Sequence, residues 1–209
     1  DPPCGTLLRT GLEALPIDWP ELFDDLESAA PHAPLTPRPH QEEALQNIIE
    51  GLAVNNRGKV IKPCGSGKTM VSLWASERLK SRSVLVLVPS ISLLKQTVEE
   101  WSANSNEPMT YLAVCSDSQV TAEEKSDSIV SATSEVPFPV TTDSEHIARY
   151  LGSAGKKVVF STYQSSPSVS EAQRIASSSK FDLVIADEAH RCAGRVSKTF
   201  SQCSMTRIL

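Results

Sequence analysis

Residues 60–70 read VIKPCGSGKTM, a near match to the phosphate-binding pattern G-x-x-x-x-G-K-[ST]. Gly67, Lys68 and Thr69 supply its end. Lys62 stands where the opening glycine belongs, and Gly65 lies inside the loop. On this stretch alone two readings are open. One is a nucleotide site with an altered first residue, the other an ordinary glycine turn ahead of a helix.

The flanking sequence narrows the choice. Residues 58–63, GKVIKP, read as a short strand running into the loop, and KTMVSLWASERLK (68–80) returns to helical spacing through Val71, Trp74 and Leu79. Residues 83–89, SVLVLVP, form an unbroken apolar run, the signature of a strand buried on both faces of a parallel sheet. Upstream, HQEEALQNIIEGL (40–52) places Ala44, Leu45, Ile48, Ile49 and Leu52 on one helical face. Downstream, helix is expected at 92–101, strand at 109–116, helix at 144–151, strand at 156–162 and helix at 168–178. A last buried strand, FDLVIADEAH, covers 181–190. The polar stretch 117–142 reads as an exposed loop. Strand alternating with helix indicates βαβ units and a mainly parallel α/β sheet flanked by helices. Ligands in such sheets sit at the carboxyl ends of the strands, where both PCGSGKT and DEAH fall.

In that setting the loop has a chemical reading. Gly65 and Gly67 let the backbone turn successive N–H groups towards phosphate oxygens. Lys68 brings positive charge to the β- and γ-phosphates of ATP, Thr69 offers a hydroxyl ligand to Mg²⁺, and the following helix adds its positive N-terminal end. An ATPase also needs an acid at a neighbouring strand tip to hold Mg²⁺ and a carboxylate beside it to orient or deprotonate the attacking water. Asp187 suits the first role and Glu188 the second. A solvated acidic strand end is the plainer alternative, but five apolar residues lead into this pair, and the GKT lies upstream at a strand–helix junction.

The 40% hydrophobic content of the 209 residues supports a packed core. No apolar run approaches the ~20 residues that span a bilayer, and DPPCGTLLRT lacks a signal-peptide layout. Five scattered cysteines, with no C-x-x-C pair, read as reduced thiols of a cytoplasmic protein. The net charge of -5 is concentrated in residues 1–40, which hold seven acidic and two basic groups along with eight of the fourteen prolines. Residues 1–34 are therefore expected to form an acidic, Pro-rich extended arm, and 35–209 the domain. An acidic total argues against a broad basic nucleic-acid face, though not against a grip on a few phosphates through backbone N–H groups and hydroxyls.

Through DEAH and the motifs around it, the chain resembles the first RecA-like domain of superfamily 2 helicases and translocases. More narrowly, it is similar to bacterial restriction and phage-defence helicases, including the helicase part of Type ISP restriction enzymes. The likeness runs from about Leu35 to Cys192, through RPHQEEAL, PCGSGKT, VLVLVPSISLLKQ, VVFSTYQS and IADEAHRCAG. It implies a RecA-like P-loop NTPase fold with Cys64, Gly65, Ser66, Gly67, Lys68 and Thr69 as the nucleotide loop. Gln41 would read the adenine edge, since an amide both donates and accepts, with Arg38 nearby. Ser90 and Thr162 would contact the nucleic-acid backbone, with loop capping as the alternative. His190 would couple the nucleotide site to motion. Cys64 and Cys192 read as packing residues rather than nucleophiles.

The resemblance also implies what should accompany the domain: DNA rather than RNA as the track, a second RecA-like domain, and nuclease or methylase modules. No second P-loop-like sheet follows DEAH in these residues. Ser204-Met205-Thr206-Arg207 stands where relatives carry something like Thr-Ala-Thr-Pro-Arg, while Ser131-Ala132-Thr133 lies upstream by coincidence. The expectation is an ATP-binding domain that hydrolyses weakly or not at all on its own. The alternatives are an RNA helicase domain and a nucleotide-gated module in which the acidic arm docks a basic partner.

Overall fold

The computed structural model describes residues 35–116, 138–176, 180–187, 206, 208 and 209. The acidic arm, Glu188, His190, Cys192 and Ser204–Met205 therefore lie outside the described residues. The chain divides into two units, Asp1–Leu35 and Thr36–Leu209.

The apolar run at 83–89 forms β1, Ser83–Val88, the second strand from one edge of a four-stranded parallel sheet. Its partners are β3 (Lys157–Thr162) and β4 (Leu183–Ala186), with β2 (Thr110–Val114) beyond β3, giving the order β2-β3-β1-β4. Register is regular: Val84 and Val86 of β1 face Val158 and Phe160 on one side and Leu183 and Ile185 on the other. Asp182 fixes the start of this pairing, because its Oδ2 accepts from both Arg82 N and Ser83 N at 2.9 and 3.0 Å.

Alternation along the strands divides the core in two. Val84, Val86, Val88, Phe160 and Ile185 pack beneath α1 (Pro39–Val54), α2 (Lys68–Arg78) and α3 (Ile91–Asn104), whose contributions include Leu45, Ile48, Val71, Trp74, Leu94 and Trp101. Leu85, Leu87, Val159 and Val184 pack on the opposite face with α4 (Ser144–Gly152) and α5 (Ser166–Ile175), through Ile147, Leu151, Val169 and Ala172. This is the expected α/β arrangement, a parallel sheet with helices on both faces.

One expectation fails. Residues 58–63 are not a strand; only Arg57 makes a bridge there, to Ile208. The edge of β4 is already taken by the last residues of the chain: Leu209 N donates to Val184 O at 2.8 Å and Ala186 N to Leu209 O at 2.9 Å. Ile208 in turn pairs outward, accepting from Gly58 N and donating to Asn56 O, both at 2.9 Å. The segment after Gly58 finds no further ladder partner among the described residues, and Pro63 has no N–H to offer one. Ile208 and Leu209 thus form an extended pair between β4 and residues 56–58.

Tyr150 on α4 stitches the helix to the sheet. Its hydroxyl donates to Thr110 O at 2.7 Å and accepts from Val158 N at 3.2 Å. Burial pushes its pKa above the usual phenol value, against the opposing effect of the hydrogen bonds to Thr110 and Val158. Because the folded pKa is the higher one, the phenol's stabilisation is whole below the unfolded value of about 10 and fades as pH rises through the folded pKa. Tyr150→Phe should cost about 1 kcal/mol at neutral pH and flatten the alkaline decline, as read by denaturant midpoints across pH.

Candidate nucleotide site

The loop between residue 63 and α2 is built on two left-handed glycines. Gly65 and Gly67 both have φ of +74°, and Gly67, with ψ of 40°, is the residue from which α2 starts. An L-residue at either position would be strained. The two differ in their surroundings. A Cβ on Gly65 would meet nothing within 4 Å, whereas one on Gly67 would fall on Gln41 Nε2.

Gln41 is the loop's neighbour across 25 residues of sequence. Its Nε2 donates to Ser66 O at 3.1 Å and its Oε1 accepts from Arg38 N at 2.9 Å, with the residue only 7% exposed. The amide expected to read adenine is thus engaged at both ends, holding the first turn of α1 to the loop. Arg38 is exposed and forms the N-cap of α1. Two further ties brace the same junction: Lys62 Nζ donates to His40 O at 2.8 Å, and Arg78 grips Glu42 bidentately at 2.7 Å in each bond. That hydrogen bond chiefly holds the Glu42 carboxyl below its usual range and raises the Arg78 guanidinium. Sequence reasoning missed these braces, since none has a local signature.

Lys68 and Thr69 open α2, at the positive end of the helix. The Thr69 carbonyl accepts from Ser72 Oγ at 2.7 Å and from the buried Trp101 Nε1 at 3.2 Å, and neither bond uses the Thr69 hydroxyl. Cys64, Lys68, Thr69 and Asp187 line one cavity of about 600 Å³, floored by Val71, Val86, Val88 and Ile185. Cys64 is exposed, so the packing role read for it does not hold; it sits in the turn where the loop leaves residues 58–63. Asp187 follows directly on β4, with its N–H on Leu87 O at 2.9 Å.

The sheet edge that carries Asp187 also carries the two residues read as nucleic-acid contacts. Ser90 follows β1 and caps α3, its Oγ accepting from Leu93 N at 3.3 Å, which leaves the hydroxyl proton to donate. Thr162 ends β3; it is buried, and its Oγ1 donates to Ser165 Oγ at 3.1 Å. Glu188 and His190 are outside the described residues.

Whether this loop suits a phosphate can be tested on the loop itself. Among the described residues, Ser66 Oγ is the buried side-chain oxygen left without a hydrogen-bond partner. Such an atom is costly unless something fills its demand. A helix N-terminus, two left-handed glycines, a lysine without an ion pair among the described residues and an orphaned hydroxyl all fit an anion.

Residues 34–209 match the family described as "Type III restriction enzyme, res subunit". The chain belongs to that family. As a restriction-type helicase domain it is 31% identical, over 157 residues, to "Probable helicase A859L" of African swine fever virus (isolate Tick/Malawi/Lil 20-1/1983), covering 75% of this chain and 16% of that protein. "Putative ATP-dependent RNA helicase L396" of Acanthamoeba polyphaga mimivirus is 34% identical over 71 residues, 34% of this chain and 14% of its own length. Among solved structures, "ATP-dependent Type ISP restriction-modification enzyme LlaBIII bound to DNA" superposes with a TM-score of 0.70 at 32% identity, over 84% of this chain and 12% of that one. A nuclease-deletion mutant of the Type ISP enzyme LlaGI, in complex with a DNA substrate mimic, gives 0.66 and 32% over 83% and 17%. The fold is thus RecA-like, and the family is one of ATP-hydrolysing helicases and translocases. The domain spans less than a fifth of the length of each of these proteins. No helix among the described residues is long and apolar enough to cross a membrane.

Proposed function

We propose that this chain is the ATP-binding domain of a helicase or translocase that moves on DNA in restriction or phage defence. The observation that carries the reading is one cavity lined together by Lys68, Thr69 and Asp187 at the carboxyl edge of the sheet. Lys68 and the loop N–H groups bind and orient the phosphates, and Ser66 Oγ adds a donor. Thr69 and Asp187 would hold Mg²⁺, which when bound neutralises charge on the phosphates. Glu188, next in sequence, orients or deprotonates the attacking water. Gln41 fixes the loop to α1 and, with Arg38, borders the adenine end. Ser90 and Thr162 meet the nucleic-acid backbone, and His190 couples the site to motion.

A second RecA-like domain, with nuclease or methylase modules, completes the motor in this reading. An arginine reaching in from such a domain contributes on the order of 10³–10⁵ in rate in other NTPases. The isolated chain is therefore expected to bind a fluorescent ATP analogue in a Mg²⁺-dependent way and to hydrolyse ATP only slowly. Titration with and without Mg²⁺, beside a phosphate-release assay, checks both statements. Strong DNA-stimulated turnover by this chain alone would overturn the second. An RNA track finds support in the name of the mimivirus relative, over a third of the chain. Competition between DNA and RNA oligonucleotides separates the two, because the 2′-hydroxyl is what distinguishes them at a backbone contact.

A further inference from the structure

Tyr163 Oη donates a 2.8 Å hydrogen bond to the carbonyl of Asp187, a bond that the chemistry above does not use. Tyr163 follows the last residue of β3 and Asp187 the last of β4, and β1 lies between those strands. The phenol therefore reaches across the full width of a strand. Both its ends are anchored on that strand's tip, Tyr163 N on Val88 O at 3.1 Å and Asp187 N on Leu87 O at 2.9 Å. The side chain is buried in the cluster that holds Leu85, Leu87 and Val184. That packing needs the ring and not its oxygen.

We infer that Tyr163 is a positioning residue that couples nucleic-acid contact at the turn 162–165 to Asp187. The inference rests on the function proposed above. Thr162 Oγ1 donates to Ser165 Oγ inside this buried turn. Thr162 is buried, so a phosphate oxygen reaches this proton only when the turn opens. Tyr163 stands within the turn, and its phenol moves with it. The carbonyl it holds belongs to the peptide linking Asp187 to Glu188. Contact at one end is thus carried to the backbone of Asp187, whose residue lines the nucleotide cavity.

The test is Tyr163→Phe, with a fluorescent ATP analogue plus Mg²⁺ and a labelled single-stranded DNA oligonucleotide as probes, each titrated alone and in the presence of the other. The parent chain should show DNA tightening nucleotide binding about tenfold, and nucleotide tightening DNA binding by the same factor, as linkage requires. In the variant each probe alone should bind within about twofold of the parent, while the mutual factor falls to about one. Retained coupling in Tyr163→Phe overturns the inference, as does a parent in which both probes bind independently. A variant that unfolds at the assay temperature, or loses affinity for the nucleotide alone, makes the hydroxyl structural and overturns it too. A parent that binds neither probe defeats the proposed function itself, an outcome distinct from these.

Discussion

Lys68→Ala should slow single-turnover ATP hydrolysis by about a hundredfold or more while leaving the fold at least as stable as before. The two effects have opposite signs for one physical reason. Lys68 is the first residue of α2, where the helix end is already positive and a cation costs roughly 0.3–1 kcal/mol. Among the described residues it has no carboxylate partner to offset this. Alanine removes the repulsion and is the best helix former, so the denaturant midpoint should stay or rise. A lysine held against its own helix is explained by an anion that arrives from outside. Hydrolysis with protein in excess over labelled ATP measures the first effect, and urea unfolding the second. An unchanged rate would reduce Lys68 to an ordinary helix residue. In the full-length protein, loss of hydrolysis and of movement on DNA together supports the motor reading, whereas partner binding retained without DNA dependence supports the nucleotide-gated docking module.

The second large effect concerns the paired glycines. Gly65→Ala and Gly67→Ala each force a side chain into the left-handed region, at roughly 1–2 kcal/mol. At Gly65 that is the whole cost, because open space surrounds the new Cβ. At Gly67 the Cβ also displaces Gln41 Nε2 and breaks its bond to Ser66 O, adding about 1 kcal/mol for a hydrogen bond lost from a buried site. Denaturant unfolding should therefore rank Gly67→Ala below Gly65→Ala. In a Gln41→Ala background the difference between the two should shrink towards zero. Nucleotide affinity should follow the same order. Equal destabilisation in both backgrounds would mean that Gln41 does not brace the loop.

These variants mark how far the sequence could be read. The sheet was legible because Val84–Val88 is apolar at every position, a pattern that only a doubly covered strand tolerates. The loop and Asp187 were legible because glycine, lysine and acid at strand ends carry their chemistry in their identity. What stayed hidden depends on distant partners. Residues 58–63 have strand composition, yet a strand exists only where a neighbour supplies the ladder, and the neighbour here is Ile208, about 150 residues on. Gln41 was read as an amide for the adenine edge, but its grip on Ser66 follows from how α1 lies against the loop. Tyr163 sits inside a recognised motif, and nothing in STYQS announces that its hydroxyl reaches the far side of β1.

The pairing of β1 with β4 also has a temporal side. Asp182 and Arg82 meet across 100 residues of chain, and Lys68 and Asp187 share a cavity only once β4 has docked. Long-range parallel pairing is slow, since loop entropy must be lost before any contact repays it. The lysine half of the site can form with the first helices and strand, but the acidic half arrives with one of the longest closures in the chain. A nascent or partly refolded molecule therefore holds the glycine loop without Asp187, and the proposed nucleotide site is completed late in folding.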